Sequence, residues 1–502
     1  MFIIAIVAAI IEMLILKSRS LESLHILQLE AYENLRYKRW LDGNRELIMS
    51  FDKKIPDDKS PLVMTDRAKR LYKTHIVTTM AIVFILSFLF SLIIKNLIIN
   101  VIIAALIIFA IYYFIPYIML LSNTINKPYE NKINMGFYNQ AKSKIKSLQG
   151  EGLNVIGITG SFGKTSTKFI CSQILEEKFN VLNTPSSFNT PMGLSKIINN
   201  DLNTENEVFV AELGADKIGE IDEVAKLVQP HIGIITGIGP AHLQSFKSID
   251  NIIKTKYELI EALPPDGIAI FNYDNEYIKR MADKTFKEKV LYGMNDTEKL
   301  DIYAKDIEVG EFGSKFTLVT KNGSIDCQTK LLGKHNISNL LGAAAAALKL
   351  GMSLEEIKNG IKKTEPIDHR LSLMRPDNGL IIIDDTFNSN PVGFRAALEV
   401  LNSFKDGQKI IITPGMVELG DKEAEENFLL GGEISRVCDY AILVGIKKTE
   451  PIYNGLIENK FNKNKIFRAK NLDEGVAFLN KIVKAGDVVL FENDLPDNYT
   501  EG

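Results

Sequence analysis

Residues 153–176 read Leu153-Asn-Val-Ile-Gly-Ile-Thr-Gly-Ser-Phe-Gly-Lys-Thr-Ser-Thr-Lys-Phe-Ile-Cys-Ser-Gln-Ile-Leu-Glu176. An apolar run from Val155 gives way to a glycine turn and then to apolar residues at helical spacing, which predicts a buried strand, a tight loop and an amphipathic helix. In that setting Gly160 and Gly163, with Ser161 between them, let backbone N–H groups curl around phosphate oxygens. Lys164 adds a point charge, Thr165 offers a hydroxyl to Mg²⁺, and Ser166 follows in the first turn of a helix whose N-terminus completes the anion site. The usual four-residue spacing between glycines would need glycine at 158, where Ile158 stands, so this is the shorter GxxGKT form.

Outward from this loop, apolar strand patterns alternate with helical ones: Val208–Glu212, Ile232–Thr236, Ile268–Phe271, Leu380–Asp384, Lys409–Thr413, Ala441–Val444 and Val488–Phe491. The alternation predicts parallel-sheet α/β domains, and open sheets of that kind bind ligands beyond the carboxyl ends of their strands. Glu212 ends one such strand and His242 follows another. Taken alone, each is an ordinary loop residue.

A chain of 502 residues suggests about three domains. With 46% apolar residues, 24% charged residues and a net charge of −3, neither a disordered chain nor a basic nucleic-acid binder is indicated. Cys171, Cys327 and Cys438 lie far apart with no CxxC pair, which excludes a disulfide framework and a cysteine-rich zinc ribbon.

The apolar residues are unevenly spread. Ile76–Ile94 carries no charge, and Leu97–Leu121 has Asn100 as its one strongly polar member, so each is long enough to cross a hydrocarbon layer of about 30 Å as a helix. Only Lys95 and Asn96 separate them, which predicts a helical hairpin. A third run, Phe2–Leu16, is shorter and contains Glu12; it reads as a retained anchor more than a removable signal peptide. Thirteen Lys or Arg between residues 17 and 75, and five between 123 and 150, place both segments on the cytoplasmic side of the cell membrane with the N-terminus outside. Leu21, Leu24, Leu27 and Ala31 at helical spacing suggest an amphipathic helix within 17–75 that lies along the bilayer or against a partner, although a solvated linker helix has the same pattern.

Together the landmarks resemble the Mur ligase family, ATP-dependent amide-forming enzymes of bacterial cell-wall (peptidoglycan) precursor synthesis. They are Thr-Gly-Ser-Phe-Gly-Lys-Thr-Ser at 159–166, Asn-Thr-Pro-Ser-Ser-Phe-Asn-Thr-Pro-Met-Gly at 183–193, Ala-Glu-Leu-Gly at 211–214 and Ala-His-Leu at 241–243. There follow Lys-Thr-Lys-Tyr-Glu-Leu at 254–259, Gly-Lys-His-Asn-Ile-Ser-Asn at 333–339, Asp-His-Arg at 368–370, Ile-Asp-Asp-Thr-Phe-Asn-Ser-Asn-Pro at 383–391 and Met-Val-Glu-Leu-Gly at 416–420. The Asp-Asp-x-aromatic-Asn-x-Asn-Pro stretch looks most like the MurF branch, which joins D-alanyl-D-alanine to a UDP-linked muramoyl tripeptide.

The resemblance implies a P-loop central domain over 151–366 and a Rossmann-like C-terminal domain over 367–502, behind a transmembrane region 1–122 with spans near 2–16, 76–94 and 97–121 and a linker 123–150. It also implies that ATP phosphorylates a carboxylate and that an amine attacks the acyl phosphate. Lys164 and a Thr165-bound Mg²⁺ would neutralise phosphates, and Glu212 with neutral His242 would hold a second Mg²⁺. Lys256 matches a lysine often carried as a carbamate, Asn336 one that reads adenine, and Arg370 and Asp385 residues that contact phosphate or ribose. Asn189 and Asn388 fall at substrate-cleft positions. For Lys256, Asn336, Arg370 and Asp385 a structural role is the alternative, and His335 reads as packing. Phe387 keeps a stacking ring where tyrosine is common.

Two departures stand out. The family's UDP-binding domain has no counterpart of sufficient length ahead of residue 151, and Phe-Glu-Asn-Asp-Leu-Pro-Asp at 491–497 replaces a Lys-Gly-Ser-Arg stretch. The expectation is a membrane-anchored ligase that joins a carboxylate donor to a peptide or amino-acid acceptor. Its donor would be lipid-linked or polymeric, or a partner protein would present it. The alternatives are a poly-γ-glutamate-type ligase, a P-loop ATPase powering a membrane process, and a silent anchor.

Overall fold

The computed structural model describes residues 2–45, 61–94, 96–186, 188–240, 243–387, 389–417 and 419–494. It divides into two compact units, with the boundary between Gly136 and Phe137.

The first unit is helical: Phe2–Leu29, Asn34–Gly43, Asp66–Ile93 and the part of Leu97–Gly150 that precedes the boundary. The described residues contain two helices long and apolar enough to cross a membrane, by length and composition. At one end of the unit Leu24, Leu27, Tyr37, Leu41, Leu71 and Met119 form a small core. Beside it Glu130, almost fully buried, accepts from Arg70 Nε at 2.6 Å and Nη2 at 2.8 Å. Leu24 and Leu27 thus form the apolar face expected of the 17–75 segment. Ala31 does not belong to it: the helix stops at Leu29, and Ala31 is exposed with φ +53°.

The second unit holds two sheets. The first runs in the order β2-β3-β1-β4-β5-β6-β7-β8-β9. Its strands are β1 (Asn154–Thr159), β2 (Val181–Asn183), β3 (Val208–Glu212), β4 (Ile232–Ile235), β5 (Ile268–Asn272), β6 (Lys289–Gly293), β7 (Ile302–Gly310), β8 (Gly313–Thr320) and β9 (Gly323–Thr329). Pairing is parallel from β2 through to β7 and antiparallel from β7 to β9. The parallel strands are apolar on both faces because helices cover both, giving one core around Phe209, Leu259 and Phe271 and another around Ile156, Ile170 and Leu340. β8 buries alternate residues, Ser314, Phe316 and Leu318, and leaves its other face to solvent; that weaker period explains why β7–β9 were not among the expected strands.

The second sheet has the order β10-β11-β15-β12-β13-β14. It comprises β10 (Ser372–Met374), β11 (Ile381–Asp385), β12 (Lys409–Thr413), β13 (Tyr440–Val444), β14 (Ile466–Ala469) and β15 (Val488–Glu492), all parallel except β10. Every strand named in the sequence reading is present, within a residue or so at its ends.

The stretch 123–150, expected to be a linker, is helical throughout. Its last four turns carry Ala141, Ile145 and Leu148 at i, i+4 and i+7, all buried against the first sheet's helices. Lys144 Nζ donates to Asn199 O at 3.0 Å and Tyr138 OH to Glu223 O at 2.9 Å. Lysine density suggested a polar linker, but Lys142 and Lys146 are exposed while Lys144 flanks the apolar stripe and bonds across it. Ile145→Ala is expected to lower unfolding free energy by about 2–4 kcal/mol, read by urea denaturation; an unchanged midpoint would remove this helix from the core.

Candidate active site

β1 lies between β3 and β4, so the strand order reverses there and the carboxyl ends of these three strands open a crevice. The loop Gly160–Gly163 fills it. Gly163 has φ +80°, and a Cβ there would sit 3.0 Å from Asn339 Oδ1, so glycine is required on two counts. Thr236, just past β4, donates its hydroxyl to Phe162 O at 2.5 Å, and Ser161 N donates to Gly237 O at 2.7 Å. A Cβ on Gly160 would run into the Thr236 hydroxyl. The loop is pinned from both sides before any ligand arrives.

Lys164, first in the helix Lys164–Leu175, folds back to donate to Gly160 O at 2.8 Å and Ser161 O at 3.3 Å. Burial holds its ammonium below the ordinary lysine range, with Glu212 opposing. Ser161 Oγ is buried without a hydrogen-bond partner. An orphaned hydroxyl, a lysine curled onto loop carbonyls and a helix N-terminus make a donor set that fits the phosphates of a nucleotide.

Gly160, Ser161, Lys164, Asn189 and Lys256 line one cavity of about 200 Å³, joined by Asp216 and Phe246. Glu212 ends β3 with its side chain buried. Its Oε1 accepts from Asn189 Nδ2 at 3.1 Å, and Oε2 lies 3.4 Å from Lys168 Nζ. Lys168 is fully buried and also donates to Ser186 O. The sequence reading missed this lysine, although it stands one turn beyond Lys164 on the same helix face, a spacing that points both at one site. Lys256, on Ile249–Ala262, is 3% exposed and not the surface charge that its alternative reading required. Burial first, then the like charge of Lys164, pull its ammonium down to about 7, with Asp216, Glu220 and Glu258 opposing.

The second sheet contributes Arg370. Its Nη2 donates to Thr165 Oγ1 at 3.2 Å, and its guanidinium stacks 4.2 Å from the Phe387 ring. Phe387 therefore keeps a stacking role without a hydroxyl. Asp385, at the end of β11, accepts from Leu371 N at 3.2 Å and so braces the turn that carries Arg370. Asn336 donates to Leu332 O at 2.9 Å and accepts from Asn339, whose Oδ1 takes the Thr167 hydroxyl at 3.1 Å. Asn339, also missed, is thus the nearer of the two to the loop. His335 is partly buried, and desolvation pulls it down to about 4, which suits packing. Ser166 stands in the first turn of its helix. His242 and Asn388 lie outside the described residues, so of the expected metal ligands the structure places Thr165 and Glu212. Among the described residues no cluster of three or more His, Cys, Asp or Glu side chains forms a metal site.

The chain matches the Mur ligase middle domain over residues 158–347 and the Mur ligase, glutamate ligase domain over 369–492. It is 32% identical over 326 residues to a UDP-N-acetylmuramoyl-tripeptide--D-alanyl-D-alanine ligase of Buchnera aphidicola subsp. Baizongia pistaciae, covering 63% of this chain and 70% of that protein. With the Bacillus subtilis (strain 168) ligase of the same name the identity is 31%, over 69% of this chain and 74% of that one. Among solved structures, MurF from Acinetobacter baumannii superposes with a TM-score of 0.66 at 28% identity, covering 73% of this chain and 78% of that one. MurF ligase from Thermotoga maritima in complex with ADP gives 0.64 at 26%, over 72% and 80%.

Lys168→Met would strand a buried carboxylate, so it is expected to cost about 3–5 kcal/mol of stability, most of which Lys168→Met with Glu212→Gln should restore. Thermal unfolding of the single and double variants checks this; additive losses would mean the two side chains do not interact.

Proposed function

This chain belongs to the Mur ligase family of ATP-dependent ligases, and on that premise we propose a membrane-anchored carboxylate–amine ligase of MurF type that works on a cell-wall or envelope precursor from the cytoplasmic face. The observation that carries the reading is the convergence on the phosphate loop of Lys164 and Lys256, which line one cavity, Arg370, which reaches Thr165, and Glu212, which faces Lys164 and Arg370.

In this reading Lys164, the loop N–H groups and Arg370 bind and orient the phosphates of ATP, and Asn339 with Asn336 holds the loop from behind. Thr165 and Glu212, with His242, would hold Mg²⁺, which when bound supplies charge neutralisation at the transferring phosphoryl group. Lys168, 3.4 Å from Glu212 Oε2, is the counter-charge that holds the Glu212 side chain in place. The carboxylate substrate lies in the Asn189–Lys256 cavity, and catalysis is positioning and electrostatics.

Lys256 is proposed to carry a carbamate: its neutral amine adds to carbon dioxide and releases a proton. A group pulled down to about 7 is half neutral there, so occupancy falls as pH drops below 7. ¹³C-bicarbonate should give a carbamate resonance that Lys256→Ala lacks; its absence from the native protein at pH 8 would leave Lys256 as a plain amine.

Support for the membrane anchor comes from the two apolar helices, of whose most apolar windows only 11% and 12% is buried, where a soluble core helix is mostly buried. Phe84, Ile93 and Leu106 are more than half exposed. An anchor on the same chain as the catalytic unit suits a lipid-linked or polymeric donor, or one presented by a partner protein.

The test is ADP release by the full chain in detergent with ATP, Mg²⁺, D-alanyl-D-alanine and a UDP-muramoyl tripeptide, each omitted in turn. Dependence on both donor and acceptor, with product at the ligated mass, is expected for MurF chemistry; ATP binding without turnover redirects the search to lipid-linked donors. Lys164→Ala should abolish release, and full turnover in that variant would sink the phosphate-loop assignment.

A further inference from the structure

Asp385 and Glu492 end adjacent parallel strands in register, side by side at the carboxyl edge of the second sheet. Both are acids, Glu492 is 1% exposed, and the parallel register sets their side chains on the same face of the sheet, one strand apart. Two carboxylates so placed repel, whereas one that holds a proton can donate to the other. The remaining contacts show which. Asp385 Oδ1 accepts from Leu371 N and feels the Arg370 guanidinium, both of which favour its anion. Glu492 Oε1 accepts from Ser389 Oγ at 2.7 Å, while Oε2 is buried with no donor directed at it. An Oε2 that carries the proton and donates needs no donor.

We propose that Glu492 is a positioning residue: as a neutral acid it donates to Asp385, the pair carries one negative charge, and Asp385 thereby holds the 368–371 turn and Arg370 against the phosphate loop. The link to the phosphate loop is continuous. Phe387 N donates to His369 O at 3.1 Å, Asn493 N donates to Asp385 O at 3.0 Å, and Arg370 reaches Thr165.

The charges around the pair support this arrangement. Asp384, on the same strand, adds negative charge and is engaged with His369 and the Thr386 hydroxyl. Arg370 is the cation named on Asp385. On β12 the strand ends in Thr413, which is uncharged, and on the helix Pro391–Ser403 the cation Arg395 is bound to Glu426 and Glu433; that helix's Glu399 is exposed. No cation thus stands beside Glu492 among the described residues. Desolvation pushes both acids upward, so the shared proton is kept above the ordinary carboxylate range and lost as pH rises further. Losing it sets two adjacent carboxylates against each other and loosens the turn.

The test uses the full chain in detergent with two readouts. Infrared spectra should show the carbonyl stretch of a buried protonated carboxylic acid that persists above the ordinary carboxylate range, titrates away as pH rises further and is missing from Glu492→Gln. ADP affinity should fall severalfold over the same pH range in the native protein. Glu492→Gln, whose amide still donates, should keep the affinity and lose that fall, and Glu492→Ala should bind weakly at every pH. No acid band in the native protein, or an unchanged fall in Glu492→Gln, overturns the proposal. If Glu492→Ala does not fold, the glutamine comparison decides alone. The nucleotide readout rests on Arg370 serving ATP as proposed above, whereas the infrared band does not: a band with no ADP binding at any pH would overturn that reading and the turn-holding role together, leaving only the shared proton.

Discussion

Thr236 determines how closely the backbone of residues 159–163 can turn. Its hydroxyl donates to Phe162 O, its N–H to Thr159 O, and the space a Gly160 side chain would need is filled by that same hydroxyl. Because Thr236 follows β4 and the loop follows β1, the constraint depends on those strands being neighbours, with β3 on the other side. The crevice, the orientation of the Lys164 helix and the position of Glu212 beside it all follow from that local order. A sheet with β1 at its edge would have no second wall against which to close the loop.

The electrostatics follow from what the wall encloses. Lys164, Lys168, Lys256 and Arg370 converge on a region where Glu212 is the one fully buried carboxylate named beside them. Two like charges about 4 Å apart repel by about 4 kcal/mol at an effective dielectric of 20, so a cluster of cations is held ready only if part of the charge is cancelled or suppressed. Lys168 is cancelled by Glu212, and Lys256 is suppressed by burial to about 7. Lys164 and Arg370 are left to meet an incoming polyanion. That division of labour explains why two lysines one turn apart on one helix do different work: one faces the crevice and the other faces inward to the carboxylate.

How much of this could be read beforehand depends on the period and range of each signal. The β1–loop–helix unit was legible because strand, glycines and helix are contiguous, and β3, β4 and β11 because parallel strands buried on both faces are unbroken apolar runs. The meander β7–β9 was not, since a half-solvated strand such as Lys315-Phe-Thr-Leu mixes polar and apolar residues over too short a stretch. The helical continuation through 123–150 was hidden by its lysines, which dominate the composition while Ala141, Ile145 and Leu148 carry the packing. Among site residues, Lys164, Glu212, Lys256 and Arg370 lie near one another. Lys168, Thr236 and Asn339 were passed over because their role is to hold other groups in place, and a hydroxyl 2.5 Å from a carbonyl leaves no mark in a motif.

The C-terminal strands show the same limit in another form. Phe491-Glu-Asn-Asp looked only like a departure from an expected basic stretch, and a departure predicts no structure. Register supplies the missing term: once β11 and β15 pair as parallel neighbours, Glu492 has to stand beside Asp385, and two acids in that relation share a proton or separate. An acid that stays neutral adds a hydrogen-bond donor without adding charge. Asp385 can then remain a single anion next to Arg370, strong enough to brace the turn that carries it and too weak to draw the guanidinium away from Thr165 and the phosphate loop. The electrostatic balance of the crevice is therefore set partly by a residue that never faces it.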